Sequence, residues 1–200
     1  MADMRNGMRS THAAVACGGL LYVLGGDGAS KKSVERFDPE ANTWEDVSPM
    51  SSSRPLLSAA VVGGKIYAVG GAQAGSAQTC ERFDPITNAW EPVPDTPIAH
   101  GTRPGVAEMH GKLWVTGGDR IVNVDVFDPE SNTWSSKADM IHGRCHHALA
   151  VLNGELRAVG GWDVASSEKY DARTDSWSVA PEMYLTTGMR GACHAAVLMI

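Results

Sequence analysis

Short apolar runs alternate with polar, glycine-rich breaks along the whole chain, and the alternation recurs. Each cycle opens on an apolar stretch such as HAAVAC, SAAVV or HALAVL. A pair that supplies the positive φ angles of a two-residue hairpin comes next: Gly18-Gly19, Gly63-Gly64, His110-Gly111 or Asn153-Gly154. A second apolar run, LLYVLGG, KIYAVGG, KLWVTGG or ELRAVGG, closes on two glycines. A polar loop of variable length leads to a third strand, SVERF, TCERF, NVDVF or SEKY. The turns DPEANTW, DPITNAW, DPESNTW and DARTDSW then open a fourth strand at a tryptophan. Proline pre-sets φ in three of these turns, and Asn or Asp tolerates the left-handed position. No window carries the i, i+3, i+4 apolar stripe of a helix.

The period is regular. The glycine pairs Gly25-Gly26, Gly70-Gly71, Gly117-Gly118 and Gly160-Gly161 are stepped by 45, 47 and 43 residues. Trp44, Trp90, Trp134 and Trp177 are stepped by 46, 44 and 43, and Phe37, Phe83, Phe127 and Tyr170 each stand seven residues before one of them. Four short strands per repeat of this length predict propeller blades. The expected division is a tail over 1–8, repeats over 9–53, 54–102, 103–143 and 144–189, and the start of a fifth over 190–200.

The recurring Gly-Gly, Phe/Tyr-Asp-Pro and Asn-Thr-Trp elements resemble the kelch repeat over residues 9–200. Repeat four departs most, with Arg157 in place of Tyr22, Tyr67 and Trp114, and Ala172 in place of proline. The resemblance implies an all-β, kelch-type β-propeller of four four-stranded blades plus the start of a fifth. Kelch propellers commonly have five to seven blades, so a partial or open ring is expected, as in a fragment of a longer protein. Its exposed edges and apolar inter-blade surface would favour self-association. A closed four-bladed ring, or closure by dimerisation, is the alternative.

Composition narrows the function. Seventeen Lys+Arg against 23 Asp+Glu give a net charge of −6, against a general nucleic-acid or anionic-membrane binder. The N-terminus MADMRNGMRS lacks the apolar core of a secretory signal. No apolar run reaches the roughly 18–20 residues of a spanning helix. Cys17, Cys80, Cys145 and Cys193 are dispersed without a C-x-x-C pair, which fits a reducing compartment; a cytoplasmic location is expected.

The tryptophans and glycine pairs are expected to be structural: flat rings fill the gaps between blades, and glycine permits close packing and unusual φ. An arginine precedes each first strand, Arg9, Arg54, Arg103, Arg144 and Arg190. The first four lie 16, 16, 14 and 16 residues before a glycine pair. Two roles fit: hydrogen bonding to a loop carbonyl or a carboxylate such as Glu35 or Glu81, or a ring of guanidinium groups facing an acidic partner. The cluster His142, Cys145, His146 and His147 has metal-ligating side chains. However, His146 and His147 should point to opposite faces of a strand, and His12 matches His147 three residues after its arginine, so no metal or cofactor is expected. Asp38, Asp84 and Asp128 are expected to make local turn bonds.

Loops before the first strands and after the glycine pairs should share one end of the blades. The candidate partner-binding rim there comprises Thr11, Leu56 and His146, each two residues after an arginine, with Arg54 and Arg144 themselves. Asp27, Asp119 and Trp162, after glycine pairs, complete it. Trp162 lies outside the four repeat tryptophans and is either a hot spot or a packing residue. The resemblance implies a non-enzymatic protein-binding module, with substrate recognition for a cullin-based ubiquitin ligase as its leading context. The kelch-like proteins of that kind carry BTB and BACK regions, which these 200 residues do not include. An actin- or cytoskeleton-binding role is the second reading. A carbohydrate-active mutarotase or oxidase is the third, although such enzymes place their active residues in longer loops than DGASKKS, AQAGSAQ, DRIV and WDVASS.

Overall fold

The two-residue hairpins form as their sequences dictate. In a computed structural model, which describes residues 2–7, 9–28 and 31–180, the eight central residues of these turns all have φ between 52° and 80°. This left-handed geometry matches the twist of paired strands. Sixteen five-residue strands result among the described residues. Blade 1 comprises β1 (Ala13–Cys17), β2 (Leu20–Leu24), β3 (Val34–Asp38) and β4 (Thr43–Val47). Blade 2 comprises β5 (Ser58–Val62), β6 (Lys65–Val69), β7 (Cys80–Asp84) and β8 (Ala89–Val93). Blade 3 comprises β9 (Gly105–Met109), β10 (Lys112–Thr116), β11 (Val124–Asp128) and β12 (Thr133–Lys137). Blade 4 comprises β13 (Ala148–Leu152), β14 (Glu155–Val159), β15 (Ser167–Asp171) and β16 (Ser176–Ala180). Each blade is one antiparallel sheet with its strands in chain order. The expected fifth repeat, residues 190–200 with Arg190, lies outside the described residues.

The turns between third and fourth strands also follow from local chemistry. Asp38, Asp84, Asp128 and Asp171 each accept a hydrogen bond from the backbone N–H two residues on. Asn42, Asn88, Asn132 and Asp175 hold the left-handed position, with φ from 47° to 54°.

The chain forms two compact units, Met1–Gly101 with blades 1 and 2, and Thr102–Ile200 with blades 3 and 4. Each unit buries its core between its two blades. Successive strand residues point to opposite faces, so Tyr22 and Leu24 lie on one face of blade 1, here the leading face. Leu21, Phe37 and Trp44 lie on the other, the trailing face. In the first unit the leading face of blade 1 (Cys17, Tyr22, Leu24, Val34) packs on the trailing face of blade 2 (Ile66, Ala68, Phe83, Trp90). In the second, Met109, Trp114, Val124 and Val126 of blade 3 pack on Leu156, Ala158, Tyr170 and Trp177 of blade 4. An aromatic contact marks each junction: Tyr22 meets Phe83 with ring centroids 6.0 Å apart, and Trp114 meets Tyr170 at 5.0 Å.

The fixed offset of seven between aromatic and tryptophan is a cross-strand pair. Phe37 and Trp44, Phe83 and Trp90, Phe127 and Trp134, and Tyr170 and Trp177 are direct partners across the turn, with ring centroids 5.1–5.4 Å apart. The indole has a second task. Trp90 Nε1 donates to the carbonyl of Ser48, just beyond β4, at 2.8 Å, and Trp177 Nε1 donates to that of Ala138, just beyond β12, at 3.0 Å. The turn residues Asn88 and Asp175 reinforce this by accepting the N–H groups of Ser48 and Ala138. The tryptophan turns of blades 2 and 4 thus grip the exit of the preceding blade.

Residues 2–7, expected as a tail, occupy the corresponding place on blade 1. Ala2 accepts the Trp44 indole N–H at 2.9 Å and donates its own N–H to Asn42 at 3.1 Å. Ala2 therefore stands on blade 1 as Ser48 does on blade 2 and Ala138 on blade 4.

Replacing Trp90 by phenylalanine keeps a ring against Phe83 and removes the tether to Ser48, an expected cost of about 1 kcal/mol. Trp90→Ala removes the ring as well and should cost about 3–5 kcal/mol. Denaturant midpoints of the intact chain check both; equal midpoints for all three proteins would contradict the packing role.

Candidate interaction rim

The turn that leads into each first strand is built on a buried charge pair. The Arg54 side chain is 1% exposed and the Glu81 side chain 2%, and Arg54 Nε meets Glu81 Oε1 at 2.7 Å. Arg54 also donates to the carbonyls of Gly70 at 3.0 Å and Thr79 at 2.9 Å. Arg144 repeats this with Glu168 at 2.7 Å and with the carbonyls of Gly160 and Ser166. Arg9 repeats it with Glu35 and Gly25. The carboxylates are filled from their other side by the incoming chain: Glu35 accepts the N–H groups of Arg5 and Asn6, Glu81 that of Ser51, and Glu168 those of Ile141 and His142. Burying an ion pair is tolerated only when its remaining donors and acceptors are also met; here the loop backbone meets those of the Arg54 and Arg144 pairs, while Arg9 keeps one buried donor, Nε, without a partner.

This geometry removes Arg54 and Arg144 from the expected rim. Their guanidinium groups are turned inward and saturated, so they cannot face a partner. Arg103 needs a different correction. Its spacing of 14 is the spacing of Thr11, Leu56 and His146 from their own glycine pairs, and all four hold the left-handed conformation, with φ of 58°, 61°, 45° and 56° for Thr11, Leu56, Arg103 and His146. The place of the buried arginine in repeat three belongs to Gly101: Gly71 N–H donates to the Gly101 carbonyl as Gly118 N–H donates to that of Arg144. Blade 3 correspondingly carries Asp125 at the glutamate position, where it accepts a bond from Ser136 Oγ at 2.7 Å.

The glycine pairs are needed because this arginine turn of the next blade presses on them. A Cβ on Gly25 would stand 3.0 Å from the Arg54 carbonyl oxygen, and one on Gly117 would overlap that of Arg144.

The remaining rim positions come together within each unit. Asp27 accepts hydrogen bonds from Ser10 Oγ and Thr11 Oγ1, both at 2.8 Å, while its N–H donates to the Ser10 carbonyl. Asp119 accepts from Thr102 N–H and Oγ1. Trp162 N–H donates to the Cys145 carbonyl at 2.9 Å. Trp162 is 43% exposed, and its ring meets the His146 ring edge-on at 5.6 Å. The left-handed residues are linked from blade to blade, Leu56 N–H to the Thr11 carbonyl and His146 N–H to that of Arg103, each at 3.1 Å. A non-glycine residue pays strain in this region, most of all a β-branched one such as Thr11. The inter-blade bonds hold it there.

His146 and His147 precede β13 rather than lying on it. Their side chains diverge all the same: His147 Nε2 is 2.8 Å from Thr116 Oγ1, inside the blade 3–blade 4 junction, and His146 stays at the surface. His142 binds Glu168 through Nδ1 at 3.0 Å. Cys17, Cys80 and Cys145 are buried free thiols, and burial pushes the Cys80 thiol up to about 12. Sequence reading missed a polar groove of about 490 Å3 in the first unit, lined by Lys31, Lys32, Ser51, Ser53, Gln73 and Ser76 among others. Loops distant in sequence form it, so no local pattern announces it.

A family model for the kelch motif matches residues 8–51, 53–97, 100–141 and 143–184. The chain belongs to the kelch-repeat family. Kelch repeats build β-propeller protein-interaction modules, and the four matches coincide with the four sheets. No individual curated protein matches the chain.

Truncating one member of the kelch charge pair should be worse than removing both. Arg54→Met leaves Glu81 buried without its cation, an expected cost of about 3–5 kcal/mol. The double variant Arg54→Met/Glu81→Met should recover part of that loss in a double-mutant cycle, whereas strictly additive costs would contradict the coupling. Glu168 supplies a pH signature. Burial raises its carboxyl, but Arg144, the Ile141 N–H and His142 lower it further, so it lies below its ordinary value of 4.5. A depressed carboxyl contributes stability above its unfolded value and loses it as pH falls through the folded value. Glu168→Gln should therefore be less stable at neutral pH and show a shallower acid limb in unfolding midpoints measured from pH 7 to pH 3.

Proposed function

We propose that this kelch chain is a non-enzymatic binding module whose protein partner docks on the rim around Trp162 and His146. The observation that carries the reading is the exposed Trp162 against the half-buried His146, which sits on a backbone turn held in a strained conformation. Strain retained by surrounding hydrogen bonds is common where a surface is preorganised for binding. An exposed tryptophan with a pinned backbone is a natural anchor. The carboxylates Asp27 and Asp119 are held in place by hydroxyl donors, and Lys31 and Lys32 border the polar groove, so the rims offer fixed charges of both signs for steering.

The cellular context we propose is substrate recognition for a cullin-based ubiquitin ligase in the cytoplasm. The resemblance to kelch-like proteins supports it, and the rim would supply the substrate-binding part.

Affinity capture with the intact chain tests the rim. Trp162→Ala should weaken binding of the captured partner by about 2 kcal/mol with an unchanged circular dichroism spectrum, because the ring lies outside the repeated core. Equal recovery of every partner would remove Trp162 from the site. Cullin and its partner's ubiquitination should accompany the natural protein in cells; their absence would exclude the ligase context while leaving the rim intact.

A further inference from the structure

The polar groove of the first unit stands on a backbone ladder that recurs along the chain. The segment entering blade 2 donates Met50 N–H to the Lys32 carbonyl at 2.9 Å and Arg54 N–H to the Lys31 carbonyl at 3.0 Å. The next entry repeats this with Thr96 on Gln78 and Gly101 on Ala77, and the one after with Met140 on Val122 and Arg144 on Ile121. The two residues held by the ladder are therefore Lys-Lys in blade 1, Ala-Gln in blade 2 and Ile-Val in blade 3. Of these three pairs only the first is charged, and it sets two cations side by side in a chain of net charge −6. The groove they line contains no carboxylate among the described residues. Lys32 Nζ donates to the Ser51 carbonyl at 2.7 Å, which holds the ammonium against one wall and keeps its other N–H groups for a ligand. A second wall is a turn closed by Ser76, whose N–H and Oγ both donate to the Gln73 carbonyl, at 2.9 and 2.7 Å.

We propose that this groove binds a phosphate monoester carried on a protein segment, with Lys31 and Lys32 as its cations. A lysine ammonium is a compact point charge without the planar fork by which arginine matches a carboxylate. A phosphate monoester carries up to two negative charges on three acceptor oxygens, which two adjacent ammonium groups and the hydroxyls of Ser51, Ser52 and Ser53 can serve together. The volume of about 490 Å3 lies within the roughly 300–1,000 Å3 of small-ligand sites. It has room for one phosphorylated side chain with its flanking backbone and not for a long polyanion. The ladder fixes the lysine backbone before a ligand arrives, so binding orders side chains alone. That the phosphate belongs to a protein rests on the reading of this chain as a protein-binding module; the anion site itself rests on the groove. The groove lies in the first unit and Trp162 in the second, so the two can be tested separately.

The test is an NMR titration of the intact, nitrogen-15-labelled chain at fixed ionic strength with four probes. They are a phosphoserine flanked by glycines, the same peptide with serine, the same peptide with two glutamates, and inorganic phosphate. The phosphoserine peptide should give saturable shifts at the backbone amides of Lys31, Lys32, Ser51, Ser52 and Ser53, and the serine peptide none. The double variant Lys31→Gln/Lys32→Gln should weaken binding at least about tenfold, with an unchanged circular dichroism spectrum. Should that variant fail to fold, Lys31→Gln alone, which leaves the bond from Lys32 to Ser51 in place, should weaken binding in the same direction. Absence of saturable shifts with the phosphoserine peptide, or binding that these variants leave unchanged, overturns the proposal. Equal affinity for the glutamate peptide overturns the assignment to phosphate, and equal affinity for inorganic phosphate overturns the protein source. Loss of partner capture in Trp162→Ala with phosphoserine binding intact supports the groove as a separate site, and failure of the groove leaves the Trp162 result as it stands.

Discussion

A guanidinium group locked onto a carboxylate, both out of reach of water, sets the geometry of the turn on which three of the four blades depend. Isolated, either charge would cost several kcal/mol to bury. The pair is stable only because the surrounding backbone is arranged around it: the first glycine carbonyl and the loop carbonyls accept from the arginine, and the incoming chain donates to the glutamate. One pair therefore joins the end of the second strand, the start of the third and the connection from the blade before. The turn that carries Thr11, Leu56 or His146 follows directly, two residues downstream of the arginine.

Blade 3 shows how far this constraint can be relaxed. Gly101 keeps the backbone bond that an arginine would make, and Asp125 replaces the glutamate with a shorter carboxylate that reaches Ser136. The turn survives, and its left-handed residue becomes Arg103. The backbone path is thus the repeated quantity, while the charge pair is the usual means of holding it. The tryptophan tether follows the same logic from the other end of the blade, since an indole N–H and a turn carboxamide or carboxylate together clamp both backbone polar groups of one residue in the preceding exit. Ala2 satisfies that clamp on blade 1, so the first blade also receives the contact that blades 2 and 4 draw from a neighbour.

Scaffold and recognition are divided by side-chain direction. Groups that point between blades are aromatic, aliphatic or internally paired, and they carry the stability. Groups at the rim sit on the same turns and point outward, where Trp162, His146, Asp27 and Asp119 can vary without disturbing the core. Arg157 breaks the division: it places a cation at the position that Tyr22 and Trp114 fill with an inter-blade aromatic. A repeat position departs from its rule most informatively where burial of that position also changes.

The blade architecture was legible in the chain itself, because its causes are local. Glycine and Asn-Gly pairs impose positive φ, Asp and Pro close the third turn, and apolar runs of five residues can bury their side chains only as strands. The seven-residue offset of aromatic and tryptophan is one cross-strand pair seen along the sequence, and it fixes the register. Spacing even recorded the anomaly of Arg103, as 14 in place of 16. What it could not reveal was that the anomaly changes the residue's role. Burial of Arg54 and Arg144 depends on glutamates more than twenty residues away and on a backbone arriving from the previous blade. The left-handed turns are occupied by Thr, Leu, Arg and His, none of which favours that conformation, so inter-blade hydrogen bonds impose it and no local signal announces it. Whether an outward position is covered, as Ile66 is and Leu21 is not, depends on the presence of a facing sheet, and only the tertiary structure places one there.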